Sequence, residues 1–137
     1  MRVIAGTYRS RILKEVQEST TRSTKDRVKE SIFNSIQTKL YDSLVLDLFA
    51  GSGALGIEAV SRGAKHTILN ELNSKAYKVV KENIETLAIE NATLTTLDYV
   101  DFLISSKEAF DIILLDPPYN MDVINEIVQL IVKRKIL

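Results

Sequence analysis

Four apolar residues, Ile112 to Leu115, run directly into Asp116-Pro117-Pro118-Tyr119. A carboxylate, a carbonyl whose direction is fixed by proline, and an aromatic face form a set suited to a flat molecule carrying an amine. An exocyclic amine on a base is a poor nucleophile because its lone pair is delocalised into the ring. The Asp116 carboxylate and the Pro117 carbonyl can both accept its N–H bonds, aim the lone pair and stabilise the charge that develops on nitrogen. Tyr119 offers a face for stacking. The two prolines remove two backbone donors and stiffen the chain where a loop would be loose. Taken alone, the same four residues would also suit a proline-rich turn capped by Asp116, with Tyr119 in the core.

A second group lies upstream. Gly51, Gly53 and Gly56 in "DLFAGSGALG" give a G-x-G-x-x-G spacing between an apolar run and a helical pattern. In that setting Gly51 permits a sharp turn, Gly53 lets a ligand approach the backbone, and Gly56 allows close helix–strand packing. Glu71 follows Gly51 by twenty residues and can accept from two ribose hydroxyls. The loop alone is compatible with a dinucleotide, whose pyrophosphate would sit on the helix N-terminus. Asp47 argues against that, because a carboxylate is an unhelpful neighbour for a pyrophosphate but a good acceptor for an ammonium. Asp98 is placed to meet an adenine amino group, and the Tyr99 amide a ring nitrogen. Together with the Asp-Pro-Pro-Tyr tip, these residues point to S-adenosylmethionine and methyl transfer to an amine. No metal is called for.

Composition narrows the chemistry further. The chain has 137 residues, 45% apolar and 26% charged, with no cysteine and one histidine. Disulfides, thiolate zinc sites and cysteine nucleophiles are excluded. His66, between Lys65 and Thr67, reads as a surface residue at the start of a strand, which leaves a nicotinamide dehydrogenase without its proton relay. No apolar run approaches the roughly 18 residues of a membrane span. The N-terminus carries charge where a signal peptide needs an apolar stretch, so a cytoplasmic protein is expected. Net charge is zero but uneven. Residues 1–29 hold eight bases (Arg2, Arg9, Arg11, Lys14, Arg22, Lys25, Arg27 and Lys29) against three acids, leaving ten bases against fifteen acids in the remainder. Charge alone leaves two readings open, a basic arm for an anionic partner or a solvated terminus.

The elements that must position these residues follow from periodicity. Residues 2–13 read as a short β-hairpin around Gly6. A helix begins near Thr24, with Val28, Ile32, Phe33, Ile36 and Leu40 on one face and a modest capping signal from Ser23 and Asp26. Strands are expected at 44–49, 66–71, 92–97 and 110–115. Helices are expected at 53–62, closed by Gly63, at 73–87 capped by Asn73 with Tyr77, Val80, Ile84 and Leu87 inward, at 99–105, and at 122–135. Alternating strands and helices predict a doubly wound, mainly parallel Rossmann-like α/β sheet, with ligands at the carboxyl ends of its strands.

"DLFAGSGALGIEA" followed by "DPPY" resembles class I S-adenosylmethionine-dependent methyltransferases acting on amino groups. "RVIAGTYRSRIL" and "TRSTKDRVKESIFNSI" resemble the RsmD-like family of 16S rRNA guanine-N2 methyltransferases. The resemblance implies that Asp47, Phe49, Ala50, Gly51, Ser52 and Gly53 line the methionine end of the cofactor. It places Glu71 and Leu72 at ribose and adenine, Asp98 and Tyr99 at the adenine edge, and Asp116, Pro117, Pro118 and Tyr119 at the catalytic tip. It further implies that Arg9, Arg11, Arg22, Thr24, Lys25 and Arg27 face RNA. Residues 1–40 would then be an RNA-facing hairpin-plus-helix extension, and 41–137 the cofactor-binding domain. The partner would be 16S rRNA or a small-subunit assembly particle, and the protein a monomer.

Family members continue with three more strands, whereas this chain stops at "IVKRKIL". Four strands ordered 3-2-1-4 would leave the apolar "IILL" strand on an edge, an aggregation hazard, so the chain reads as C-terminally truncated. Three other activities compete. Adenine-N6 methyltransferases and glutamine-N5 methyltransferases of proteins use related tips, the latter often with Asn where this chain has Asp116. A non-catalytic RNA-binding module with a vestigial loop is the third.

Overall fold

The computed structural model describes residues 1–16, 26–118 and 121–137. Its elements run α1 (Asp26–Leu40), β1 (Leu44–Asp47), α2 (Ala54–Ser61), β2 (His66–Asn70), α3 (Ser74–Thr86), β3 (Ala92–Thr95), α4 (Tyr99–Ser105), β4 (Ile112–Leu114) and α5 (Ile124–Arg134). The four strands form one parallel sheet in the order β3-β2-β1-β4. Asp47 pairs with Leu69 on one side and Leu114 on the other, and Leu69 with Leu94. Among the described residues no helix is long and apolar enough to cross a membrane.

Successive side chains of a strand point to opposite faces, and this alternation builds three layers. Val45 packs with Phe33 and Leu40 of α1 and with Leu55 and Ala59 of α2. Its neighbour Leu46 turns the other way, to Phe102 and Leu103 of α4 and Ile127 and Ile131 of α5. Leu69 joins Ile57 and Val60 of α2 with Val80 and Ile84 of α3. Helices α1, α2 and α3 therefore cover one face, α4 and α5 the other. Each fully buried Phe or Leu contributes about 1.5–3 kcal/mol. Local signals set the ends: Asn73 caps α3 by accepting from the Lys75 and Ala76 amides at 3.0 Å each, and Gly63, at φ +112°, closes α2.

The N-terminal segment is stitched to this body. Its hairpin is reduced to a single antiparallel bridge, Arg2 with Ile12, supported by Val3 N to Arg11 O at 2.9 Å and Ser10 N to Val3 O at 2.8 Å. Val3 and Leu13 point into the core shared by α2 and α3. The backbone around Gly6 lies flush on α2: a Cβ at Gly6 would collide with the Ser61 carbonyl, which accepts from Thr7 N at 2.9 Å. Ser61 Oγ donates to Ala5 O and accepts from Tyr8 N. The Glu58 carboxylate accepts from the Ile4 and Ala5 amides at 2.9 and 3.1 Å and from Arg62 Nε at 2.8 Å, with Lys29 Nζ at 3.4 Å.

That carboxylate corrects the expected face of α1. The periodicity put Val28 and Ile32 inward, yet they are 50% and 38% exposed, while Lys29 is fully buried with Phe33 and Leu40. Lys29 Nζ donates to Arg2 O at 2.7 Å as well as pairing with Glu58. Phe33, Ile36 and Leu40 of the expected face do pack inward, and it is Lys29, paired with the buried acid 29 residues downstream, that lies buried where Val28 and Ile32 were expected. The expected capping pair is only half described, because Ser23 lies outside the described residues.

Candidate active site

Strand pairing ends at Asp47, Asn70, Thr95 and Leu114. Within the next few residues come Phe49 to Gly53, Glu71, Asp98 and Asp116, so the sheet delivers almost every singled-out residue to one edge. β4 and β2 flank β1, which puts the Asp116 tip and Glu71 on either side of the glycine loop. Tyr119 of the tip lies outside the described residues, as do Arg22, Thr24 and Lys25 of the arm. Pro117 and Pro118 are half-buried; Arg9, Arg11 and Arg27 are exposed.

The loop is built on two positive-φ glycines, Gly51 at +58° and Gly53 at +91°. Side chains there would be strained, and the two positions differ in their surroundings. A Cβ on Gly51 meets nothing within 4 Å, whereas one on Gly53 would strike Val80 and Ile57. Open space therefore adjoins Gly51, and Gly53, as the residue before α2, serves packing. Gly56 has the expected role, since a Cβ would overlap Leu69 on β2.

Asp47 is the electrostatic centre. It is fully buried; Oδ2 accepts from Gly56 N at 3.0 Å, while Oδ1 has no hydrogen-bond partner. Burial pushes its carboxyl up to about 7; the Gly56 and Phe49 amides oppose this, and the negative charges of Asp116 and Glu71 add to it. Three carboxylates thus share one field. An orphaned buried acceptor costs roughly 1–3 kcal/mol unless a donor arrives. The acceptor, the acidic surroundings and the space beside Gly51 fit an ammonium and a sulfonium, the cationic groups of S-adenosylmethionine.

Glu71 is engaged before any ligand binds. Oε1 accepts from Gly51 N at 2.7 Å and Oε2 from Asn73 N at 2.9 Å. A carboxylate has about four acceptor sites, so two remain for ribose hydroxyls. Asp98 caps α4 by accepting from Val100 N at 3.0 Å. Tyr99 packs its ring on Phe49, centroids 5.6 Å apart, and donates to Glu126 Oε1 at 3.3 Å. Burial and the Glu126 carboxylate push the Tyr99 phenol above its ordinary value, which keeps it a donor. Ala50 is buried, Ser52 half-buried, and Leu72 is 60% exposed at the rim. His66 starts β2, with Nε2 2.7 Å from Thr93 Oγ1 and away from this edge.

Two positioning residues escaped the sequence reading. Buried Asn70 accepts from Thr95 Oγ1 and Leu97 N and donates to the Leu97 and Leu48 carbonyls, fixing the turn that leads to Asp98. Asn83 holds the Ser52 carbonyl from α3 at 2.9 Å. Each carried a legible signal, an amide on the buried side of an otherwise apolar pattern.

A family model described as "Conserved hypothetical protein 95" matches residues 1–137. "Putative rRNA methyltransferase YlbH" of Bacillus subtilis is 43% identical over 135 residues, spanning 96% of this chain and 73% of its own length. "Ribosomal RNA small subunit methyltransferase D" of Haemophilus influenzae is 37% identical over 135 residues, spanning 96% and 70%. Among solved structures, "Putative methyltransferase yhhF from Escherichia coli" superposes with a TM-score of 0.86 at 34% identity, over 96% of this chain and 71% of that one.

Proposed function

The chain belongs to the RsmD-like methyltransferase family described by that model, and from this premise we propose that it methylates the N2 amine of a guanine in small-subunit rRNA, using S-adenosylmethionine. When bound, the cofactor supplies an electrophilic methyl group. The chain's own residues do the rest. Asp47 meets the ammonium, Glu71 takes the ribose hydroxyls, and Asp98 and the Tyr99 amide take the adenine edge. Phe49, Ala50, Ser52 and Leu72 line the same cleft.

On the acceptor side, the Asp116 carboxylate and the Pro117 carbonyl take the two N–H bonds of the guanine amine, and Pro118 fixes that carbonyl's direction. Tyr119 stacks on the base. Positive charge growing on N2 as the amine is methylated would be stabilised by Asp116, which would receive the surplus proton. Alignment of the reactants supplies up to about 7–11 kcal/mol of the acceleration, against a few kcal/mol for turning the guanine out of its stack. Residues 1–40, with Arg9, Arg11, Arg22, Thr24, Lys25 and Arg27, form the RNA-facing extension of a cofactor-binding domain at 41–137. The protein works as a cytoplasmic monomer on rRNA or an assembling small subunit.

The single observation that carries this proposal is Asp47: buried, half-satisfied, and in the field of both Asp116 and Glu71. The test is methyl transfer to small-subunit rRNA with the modified base mapped. Asp116→Ala is expected to lower the rate about 10²- to 10³-fold with cofactor binding retained. A methyl group on adenine N6, or an Asp116→Ala protein as fast as the parent, would refute it.

A further inference from the structure

Among the described residues, two groups of hydrogen bonds tie the arm to α2 and α3, and the group at Lys14 also reaches the cofactor loop. Near residues 4–8 the contacts go to Glu58 and Ser61 on the flank of α2. At residue 14 the backbone contacts go to one buried amide on α3, while Lys14 Nζ pairs with Glu82 Oε2 at 3.0 Å. Asn83 Oδ1 accepts from Lys14 N at 2.9 Å, and Asn83 Nδ2 donates to Lys14 O at 3.0 Å and to Ser52 O at 2.9 Å. Asn83 is 4% exposed. Its orientation is fixed by this pattern, because a flipped amide would set its oxygen against two carbonyls.

The Ser52–Gly53 peptide lies between two positive-φ glycines and is held from both ends. Its carbonyl is bound by Asn83, and its N–H donates to Ala50 O at 2.8 Å. Gly53 on one side leaves this peptide freer to rotate than one between two substituted residues. Asn83 fixes its carbonyl side, and the other hydrogen of that amide is committed to the arm.

We propose that Asn83 is a positioning residue that couples engagement of RNA by the arm to the conformation of the cofactor loop; the proposal rests on the methyltransferase function argued above. RNA phosphates that order Arg9 to Lys14 fix the Lys14 backbone. The amide plane of Asn83 is fixed with it, and the Ser52 carbonyl is held inward, so the loop receives the cofactor already shaped. Because coupling is reciprocal, bound cofactor must tighten RNA by the same factor.

S-adenosylhomocysteine is the probe, since it occupies the cofactor site without turnover. Its affinity is measured by calorimetry, alone and with saturating small-subunit rRNA, and RNA affinity is measured with and without it. In the parent protein each is expected to tighten the other by the same factor, about fivefold or more. Asn83→Asp keeps the acceptor for Lys14 N but loses both donors, and the factor should fall to about one. Asn83→Ala is the second variant, with the same expectation. Ser61→Ala loosens the arm without touching the loop and should weaken RNA binding while the factor survives. A factor of one in the parent, a parental factor in either Asn83 variant, or its loss in Ser61→Ala overturns the coupling. A parent protein that binds no S-adenosylhomocysteine overturns the proposed function itself, and the coupling with it.

Discussion

Asp47 and Glu58 are both fully buried carboxylates, eleven residues apart along one β1–α2 unit, and they are treated in opposite ways. Glu58 meets Lys29, Arg62 and two backbone amides, and Arg62 is itself held over the Phe33 ring at 5.4 Å. Asp47 has a close amide hydrogen bond from Gly56, the weaker influence of the Phe49 amide, an oxygen without a hydrogen-bond partner, and two more acids in its field. A satisfied buried charge holds parts together. An unsatisfied one marks a candidate ligand site. The contrast separates scaffold from site without reference to any relative.

Three measurements can break or sharpen that contrast. The largest effect is expected from Glu58→Gln, which leaves Lys29 and Arg62 buried without their counter-charge. It should cost about 3–5 kcal/mol, read as a lowered urea midpoint with an unchanged slope. A stable variant would mean that the arm's docking does not depend on the ion pairs.

Asp47→Asn should do the reverse. The folded-state value near 7 lies above the ordinary 3.8. The stability Asp47 contributes is therefore complete below about pH 4 and is lost as pH rises towards 7. The Asn variant escapes this loss, and its advantage over the parent should grow across that window to on the order of 4 kcal/mol at pH 8. Paired urea titrations at pH 4 and pH 8 give the difference directly, and cofactor binding should weaken in the same protein. A variant less stable than its parent at pH 8 would erase the distinction between the two carboxylates.

The smallest effect is expected from Lys29→Met. Burial pushes the Lys29 ammonium below its ordinary value, and the Glu58 and Asp26 carboxylates only partly offset that. Glu58 keeps Arg62 and two amides after the change, so a loss of about 1–2 kcal/mol is expected. A loss as large as that of Glu58→Gln would show the lysine, and not the acid, to be the hub.

Much of the site was legible because its logic is local. Gly51 and Gly56 follow one another within a single turn and helix start. Glu71 and Asp116 each end an apolar strand, and Asn73 and Asp98 cap the helices that follow them. Alternation and handedness gave a parallel sheet, and the resemblance to class I methyltransferases supplied the order β3-β2-β1-β4 that the sheet has. What stayed hidden depends on partners far away in the chain. Glu58 looked like one more helix acid until Ile4, Ala5 and Lys29 arrived, and Lys29 looked like surface charge while Val28 looked like core. Asn83 reaches Lys14 across 69 positions, and no period of 2 or 3.6 records such a contact. Gly53 packs where a Cβ would strike Val80 and Ile57, two residues that lie 27 and four positions further on, and open space lies beside Gly51.

Gly6 carries a consequence of its own. Its α-carbon rests so close to the Ser61 carbonyl that hydrogen is the largest substituent the gap admits. Alanine there would act as a wedge one methyl wide, prising residues 4–8 from α2 while every group at the sheet edge stayed in place. Shape at position 6 thus acts alongside the hydrogen bonds to Glu58 and Ser61 in keeping the first few residues flat on the helix.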